Sequence, residues 1–293
     1  LRESFNQPRA KQKTDKLLPS AQFLLLYHIL NRNNNWKMEN NSFKEIAHFC
    51  TTREGGVSMG NFSSFNISPF SGDSAENFEQ NLHILSLQTE LPTDSFIFPF
   101  QTHDDKTLII DSKFLKFNRE EKANALKGID ALITAEPDIC IGVTTADCVP
   151  LLLFDCKQKV IAAVHAGWRG TCARLIQKTL SVMQQNFGTN PQDAFVLIGP
   201  SISSDVYEVG RELMTIFAQA HFPVNDIFTE RNEKLYLDLW EANRFLLLES
   251  GVPASQIGIS GICTYTAHDK FFSARRLGIK SGRMYSGIVL KKS

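Results

Sequence analysis

The stretch ADCVPLLLFDCKQKVIAAVHAGWRG, residues 146–170, restricts the possible folds more than any other part of this chain. Two apolar runs, 149–154 and 160–164, flank a short polar segment at 155–159. They read as two strands joined in a hairpin. Closing that turn sets positions summing to about 313 or 314 opposite one another. Cys148, at the open end of the first run, then lies within one position of His165, at the open end of the second. Across an antiparallel pair their Cβ atoms are roughly 4.5–8 Å apart. A thiol and an imidazole brought together beside a glycine-rich turn form a reactive or a metal-binding pair.

The rest of the chain supplies a large core around that hairpin. Of 293 residues, 43% are apolar, enough for one large domain. Thirty-one basic residues balance 31 acidic ones. With no basic surplus, nucleic acid and anionic membrane surfaces are not expected partners, and any anion must be held by a few placed arginines or backbone amides. No apolar run approaches the roughly 20 residues of a membrane span. The six cysteines are scattered without paired spacing, and no signal-peptide pattern is evident. That pattern is expected of a reduced, cytoplasmic protein.

Residues 1–37 differ in texture from the remainder of the sequence and read as an N-terminal extension, leaving 38–293 as the catalytic domain. Helices are expected at 75–86, 171–187, 211–220 and 239–250, the second having the clearest 3.6-residue period. Strands are expected at 107–110, 131–134, 139–144, 195–198 and 284–290. Hairpins and strand–helix alternation occur together, which implies mixed sheets with helices on their outer faces.

Cys148 and His165 have three readings. Both can be packing residues, since free cysteine is among the most buried residue types. They can form a nucleophilic dyad, the imidazole drawing the thiol toward thiolate. They can also hold Zn²⁺, for which thiolate and imidazole are apt donors and three ligands leave an open position. The metal reading needs a third donor, and His103, ahead of the strand at 107–110, is the best placed. Among polar groups, Arg53 precedes Gly55-Gly56, Asn66 ends a serine-rich turn, and Arg169 lies between Trp168 and Gly170. Each can face a substrate. Asp147, beside Cys148, is the expected partner that orients a histidine. The P-loop and GxGxxG patterns are absent. Seven scattered histidines without a His-x-His pair argue against a multicopper cluster.

Eight segments resemble one family. They are TTREGGVSMGNFSSFN (51–66), GDSAENFEQNL (72–82), IDALIT (129–134), TTADCVPLLLFD (144–155), AAVHAGWRGT (162–171), IGPSI (198–202), YEVG (207–210) and CTYTAHDKFFSARR (263–276). The chain resembles the laccase-domain or "polyphenol oxidase" family, whose members are also described as purine nucleoside phosphorylases. The resemblance covers roughly residues 40–293. It implies an α+β fold, an α/β/β/α sandwich of mixed sheets in a monomeric single domain. It also implies one metal, taken as zinc with copper an alternative, on His103, Cys148 and His165.

The activities it implies are phosphorolysis of adenosine, inosine, guanosine and methylthioadenosine, with adenosine deamination. The expected partners are thus a small purine nucleoside and phosphate, with Arg53, Asn66 and Arg169 as substrate residues. The alternatives are a metal-free Cys–His hydrolase linked to cell-wall peptide editing, a copper-dependent phenol oxidase, and a binding module with a structural metal. Three positions depart from the family pattern: Asp104 replaces a glycine, Asp205-Val206 a Cys-Cys pair, and Leu277 an acid.

Overall fold

The hairpin forms the middle of the molecule. The computed structural model describes residues 45–292, so the expected extension at 1–37 lies outside the described residues. In chain order the strands are β1 (Ile46–Cys50), β2 (Phe96–Ile97), β3 (Thr107–Ile109), β4 (Ala131–Thr134), β5 (Cys140–Thr145), β6 (Val149–Asp155) and β7 (Val160–Ala166). They continue with β8 (Ala194–Ile198), β9 (Glu208–Val209), β10 (Phe228–Arg231), β11 (Lys234–Leu237), β12 (Ile257–Ile259) and β13 (Met284–Leu290). The helices are α1 (Ala75–Thr89), α2 (Ser112–Leu115), α3 (Arg119–Ala125), α4 (Trp168–Cys172) and α5 (Leu175–Phe187). After these come α6 (Arg211–Gln219), α7 (Val224–Ile227), α8 (Leu239–Glu249) and α9 (Ala274–Leu277).

One sheet runs β12-β8-β6-β7-β4-β3, a second runs β1-β13-β5-β2, and β10-β11-β9 make a small third. The first two are mixed: β3/β4, β8/β12 and β2/β5 pair in parallel, the other neighbours antiparallel. Period two then sorts the side chains. On β6, Val149, Leu151 and Leu153 join the cluster that contains Leu180 of α5 and Leu246 of α8. Leu152 and Phe154, on the opposite face, join Ile141 of β5 and Ile288 of β13. The far face of the four-stranded sheet packs Tyr285 and Val289 with Phe65 and with Leu85 of α1. Helix, sheet, sheet, helix is the resulting order, as the family resemblance implies. Full burial of each such aliphatic side chain stabilises by about 1.5–3 kcal/mol.

The register departs from expectation. Asp155 pairs with Val160 and Pro150 with His165. Four residues make the turn, held by Asp155 Oδ1, which accepts from the backbone N–H of Lys157 (2.9 Å) and Gln158 (3.0 Å), and by left-handed Lys159 (φ 56°). Cys148 therefore sits one residue before β6, diagonal to His165 rather than beside it. The expected helix at 171–187 is broken, because Arg174 is left-handed (φ 61°) and separates α4 from α5. Its guanidinium is drawn to Glu249, Gln177 and the carbonyl of Ala220, and these tertiary bonds override helix periodicity.

Candidate active site

Three chain segments converge at one end of the six-stranded sheet. His165 is the penultimate residue of β7, Cys148 immediately precedes β6, and His103 lies in the turn between β2 and β3. One donor atom from each lies within 4.8 Å of the other two. The two imidazole rings meet edge to face, with centroids 4.7 Å apart and planes at 75°. His165 is buried, Cys148 half-buried and His103 exposed, so the group opens to solvent on the His103 side.

The residue that organises this group is Asp130, fully buried one position before β4. Its Oδ1 lies 2.7 Å from His165 Nδ1. The same carboxylate accepts backbone N–H bonds from Thr102 (3.0 Å), His103 (3.1 Å) and Asp104 (2.9 Å). Its carbonyl accepts from the backbone N–H of His165 at 2.8 Å. One side chain thus fixes the ring of one histidine and the backbone of the other, which holds a left-handed conformation (φ 61°). With Nδ1 turned to Asp130, Nε2 of His165 is left for a ligand. Sequence reasoning gave Asp130 no role. The available signal was an acid placed directly before the strand-like run ALIT.

Gly167 completes the arrangement by having no side chain. A Cβ there would lie 2.9 Å from Cys148 Sγ and 3.3 Å from a ring carbon of His103. Charge couples the donors. Burial works to raise the Cys148 thiol, but the His165 charge and hydrogen bonds from His103 and His165 outweigh it, bringing it down to about 6. Burial lowers His165, yet the Cys148 charge and the Asp130 bond take it up to about 9. Burial likewise works to raise Asp130, and the His165 contact with the backbone N–H groups holds it below the usual carboxylate value. Without a metal this coupling favours a thiolate beside a charged imidazole. With one, the same atoms are a sulfur and two nitrogens grouped on the scale that bonds of about 2.0–2.3 Å to a single ion require.

The other expected site residues lie elsewhere or are engaged. Arg53 donates through Nε and Nη2 to the Ser63 carbonyl (3.0 and 2.9 Å) and through Nη1 to that of His268 (2.8 Å). Asn66 is fully buried: its amide nitrogen donates to Ser71 and Asp73, and its oxygen accepts from Arg283 N–H at 2.9 Å. Both brace loops. Arg169 is exposed, with its guanidinium 4.4 Å from the Trp168 ring centroid. Asp147 does not orient a histidine, because its carboxylate is taken by Thr264, Ser273 and the backbone of Arg275.

The family model described as multi-copper polyphenol oxidoreductase laccase matches residues 47–291. The chain belongs to this family. It is 46% identical to the purine nucleoside phosphorylase of Bacteroides thetaiotaomicron over 253 residues, 86% of this chain and 94% of that one. It is 38% identical to adenosine deaminase RL5, from an unknown prokaryotic organism, over 252 residues, 85% of this chain and 96% of that one. The crystal structure of YlmD from Geobacillus stearothermophilus matches with a TM-score of 0.80 at 29% identity, covering 86% of this chain and 94% of that one. The laccase-family chain is therefore an enzyme with the fold of these relatives. Among its described residues, no helix is long and apolar enough to cross a membrane.

Proposed function

We propose that this protein is a zinc-dependent purine nucleoside phosphorylase whose metal is held by His103, Cys148 and His165. The observation that carries the reading is the convergence of one sulfur and two imidazoles, backed by Asp130, on an open position. Thiolate with imidazole suits zinc, and a protein donor set of three is that of a catalytic site. Among the described residues one such histidine–cysteine group is found, which favours a mononuclear centre over a multicopper cluster. The relatives named purine nucleoside phosphorylase and adenosine deaminase supply the substrate class. The catalytic unit in this reading is 38–293, acting on a small nucleoside and phosphate.

Bound zinc supplies a Lewis acid beside the substrate. The chain's own residues supply placement. Asp130 keeps Nδ1–H of His165 turned inward and the turn 102–104 in shape. Arg169 offers a guanidinium to an oxyanion. Arg53 and Asn66 hold the loop between them. In phosphorolysis a phosphate oxygen bonds to the anomeric carbon as the glycosidic C–N bond breaks. That bond's electron pair leaves with the base, which takes up a proton.

Incubating the zinc-loaded protein with adenosine, with and without phosphate, tests the reading by chromatography of the products. Adenine formed only when phosphate is present is the expected result. Inosine formed without phosphate marks the deaminase activity that the RL5 relative brings into question. The absence of both adenine and inosine would overturn the proposal. Alkylation of Cys148 by iodoacetamide in the zinc-loaded protein would instead support the metal-free Cys–His hydrolase, since a coordinated thiolate is shielded.

A further inference from the structure

Asp147 connects the Cys148 loop to a distant part of the chain. Its backbone is left-handed (φ 87°), and its carbonyl accepts from Ile202 N–H at 3.0 Å. Its carboxylate accepts from Thr264 Oγ1 (2.7 Å), Ser273 Oγ (3.0 Å) and the backbone N–H of Arg275 (2.7 Å). Arg275 is thereby tied to the residue next to Cys148, although 127 positions of sequence separate Arg275 from Cys148 (275 − 148).

The side chain of Arg275 is held but electrically uncompensated. Its Cζ lies 5.1 Å from the Tyr207 ring centroid, and Nη1 donates to the Glu208 carbonyl at 2.9 Å. Arg169 is similar: it stacks on Trp168, two residues after the glycine that abuts Cys148 Sγ. Neither guanidinium has a carboxylate partner among the described residues, whereas Arg174, Arg211, Arg231 and Arg244 each have one. Arg53 and Arg283 are spent on backbone carbonyls. A guanidinium held over an aromatic ring keeps its remaining N–H groups ordered and available.

The ring of Tyr207 lies beneath the Arg275 guanidinium. Burial first, and then the Cys148 charge, push its phenol up to about 12, opposed by the nearby charges of Arg275 and Arg169. Arg275 lies over this half-buried tyrosine, and Arg169 follows two residues after the glycine beside Cys148 Sγ. A pair of free planar donors suits a tetrahedral oxyanion, which each can grip through two N–H groups.

We propose that Arg275, paired with Arg169 and positioned by Asp147, binds the phosphate co-substrate beside the metal centre. This rests on the phosphorolysis reading above.

Steady-state kinetics of zinc-loaded Arg275→Ala with adenosine and varied phosphate test it. The KM for phosphate is expected to rise roughly 10- to 100-fold, the effect of losing charge-assisted hydrogen bonds. The KM for adenosine and the zinc content should stay within about twofold of wild type, separating phosphate binding from general damage. Arg275→Lys should restore only part of the loss, because an ammonium lacks the stacked fork. Arg276→Ala, which removes a neighbour lying over Tyr265, should leave the phosphate KM unchanged.

Arg275→Gln, which keeps much of the stem over Tyr207, serves if the alanine variant does not fold. Wild-type phosphate KM in that variant would overturn the proposal. Calorimetric titration of inorganic phosphate into the zinc-loaded protein needs no turnover. A wild-type protein inactive on nucleosides would sink the function reading, and the titration alone would then decide for Arg275. Weaker binding by Arg275→Gln sustains the assignment, and equal binding overturns it.

Discussion

Asp130 makes five hydrogen-bonding contacts with the segments that carry the two histidines, four through its carboxylate and one through its carbonyl. Removing that carboxylate should cost the centre more than its distance from solvent suggests. Asp130→Ala is expected to weaken zinc binding by about 10- to 100-fold, the usual effect of losing the partner that orients a metal-bound imidazole. Competition against a chromogenic chelator measures this, and unchanged affinity would refute the role. His103, Cys148 and His165 were legible because a histidine or cysteine at a strand end stands out in sequence. Asp130 was not, because three of its four carboxylate partners are backbone N–H groups, which leave no residue signature. Asp147 was misread for a related reason. Adjacency to Cys148 in sequence pointed to a histidine, whereas its left-handed backbone accompanies a carboxylate turned toward Thr264 and Ser273.

At the scale of elements, the loop ahead of α1 is held by a second carboxylate that gathers several donors. Asp73 accepts from Ser58 Oγ (2.5 Å), Asn66 Nδ2 (3.2 Å), Asn77 Nδ2 (2.9 Å) and Ser74 N–H (2.8 Å). Burial works to raise its carboxyl, but these donors hold it below the ordinary value of 3.8. A lowered folded-state value means that the ionised form favours folding. That contribution is complete above the unfolded value and is lost as pH falls through the folded one. Asp73→Asn is therefore expected to destabilise by about 1–2 kcal/mol at pH near 7. The deficit should shrink as wild type is titrated below about pH 3.8. Urea unfolding across this range checks it, and a deficit independent of pH would contradict the assignment. The long strands and helices were legible from periodicity. The hairpin of β10 and β11 was not, because its turn carries no sequence marker. Its two-residue turn, Asn232-Glu233, has positive φ at both positions without the glycine that marks such turns.

For the whole molecule, the proposed metal would link segments far apart in sequence. His103 enters from the β2–β3 turn and the other two ligands from the central hairpin, so an ion bound in the native state alone must stabilise the fold. At a free zinc concentration about 1,000 times Kd, the gain is about 4 kcal/mol. For a chain of this size that corresponds to a Tm rise of roughly 8–16 °C. Scanning calorimetry before and after chelation measures it, and a Tm indifferent to chelator would count against a site shared by these three segments. The sandwich itself was legible from family motifs, while the sheet order required the register of β6 on β7, which the turn sets.

Zinc-edge X-ray absorption of the loaded protein tests the central claim most directly, because it counts the donors. The expected spectrum shows one sulfur at about 2.3 Å and two imidazole nitrogens at about 2.0–2.1 Å, with any remaining position filled by a light atom. A zinc shell without sulfur, or with two or more sulfurs, would contradict the account.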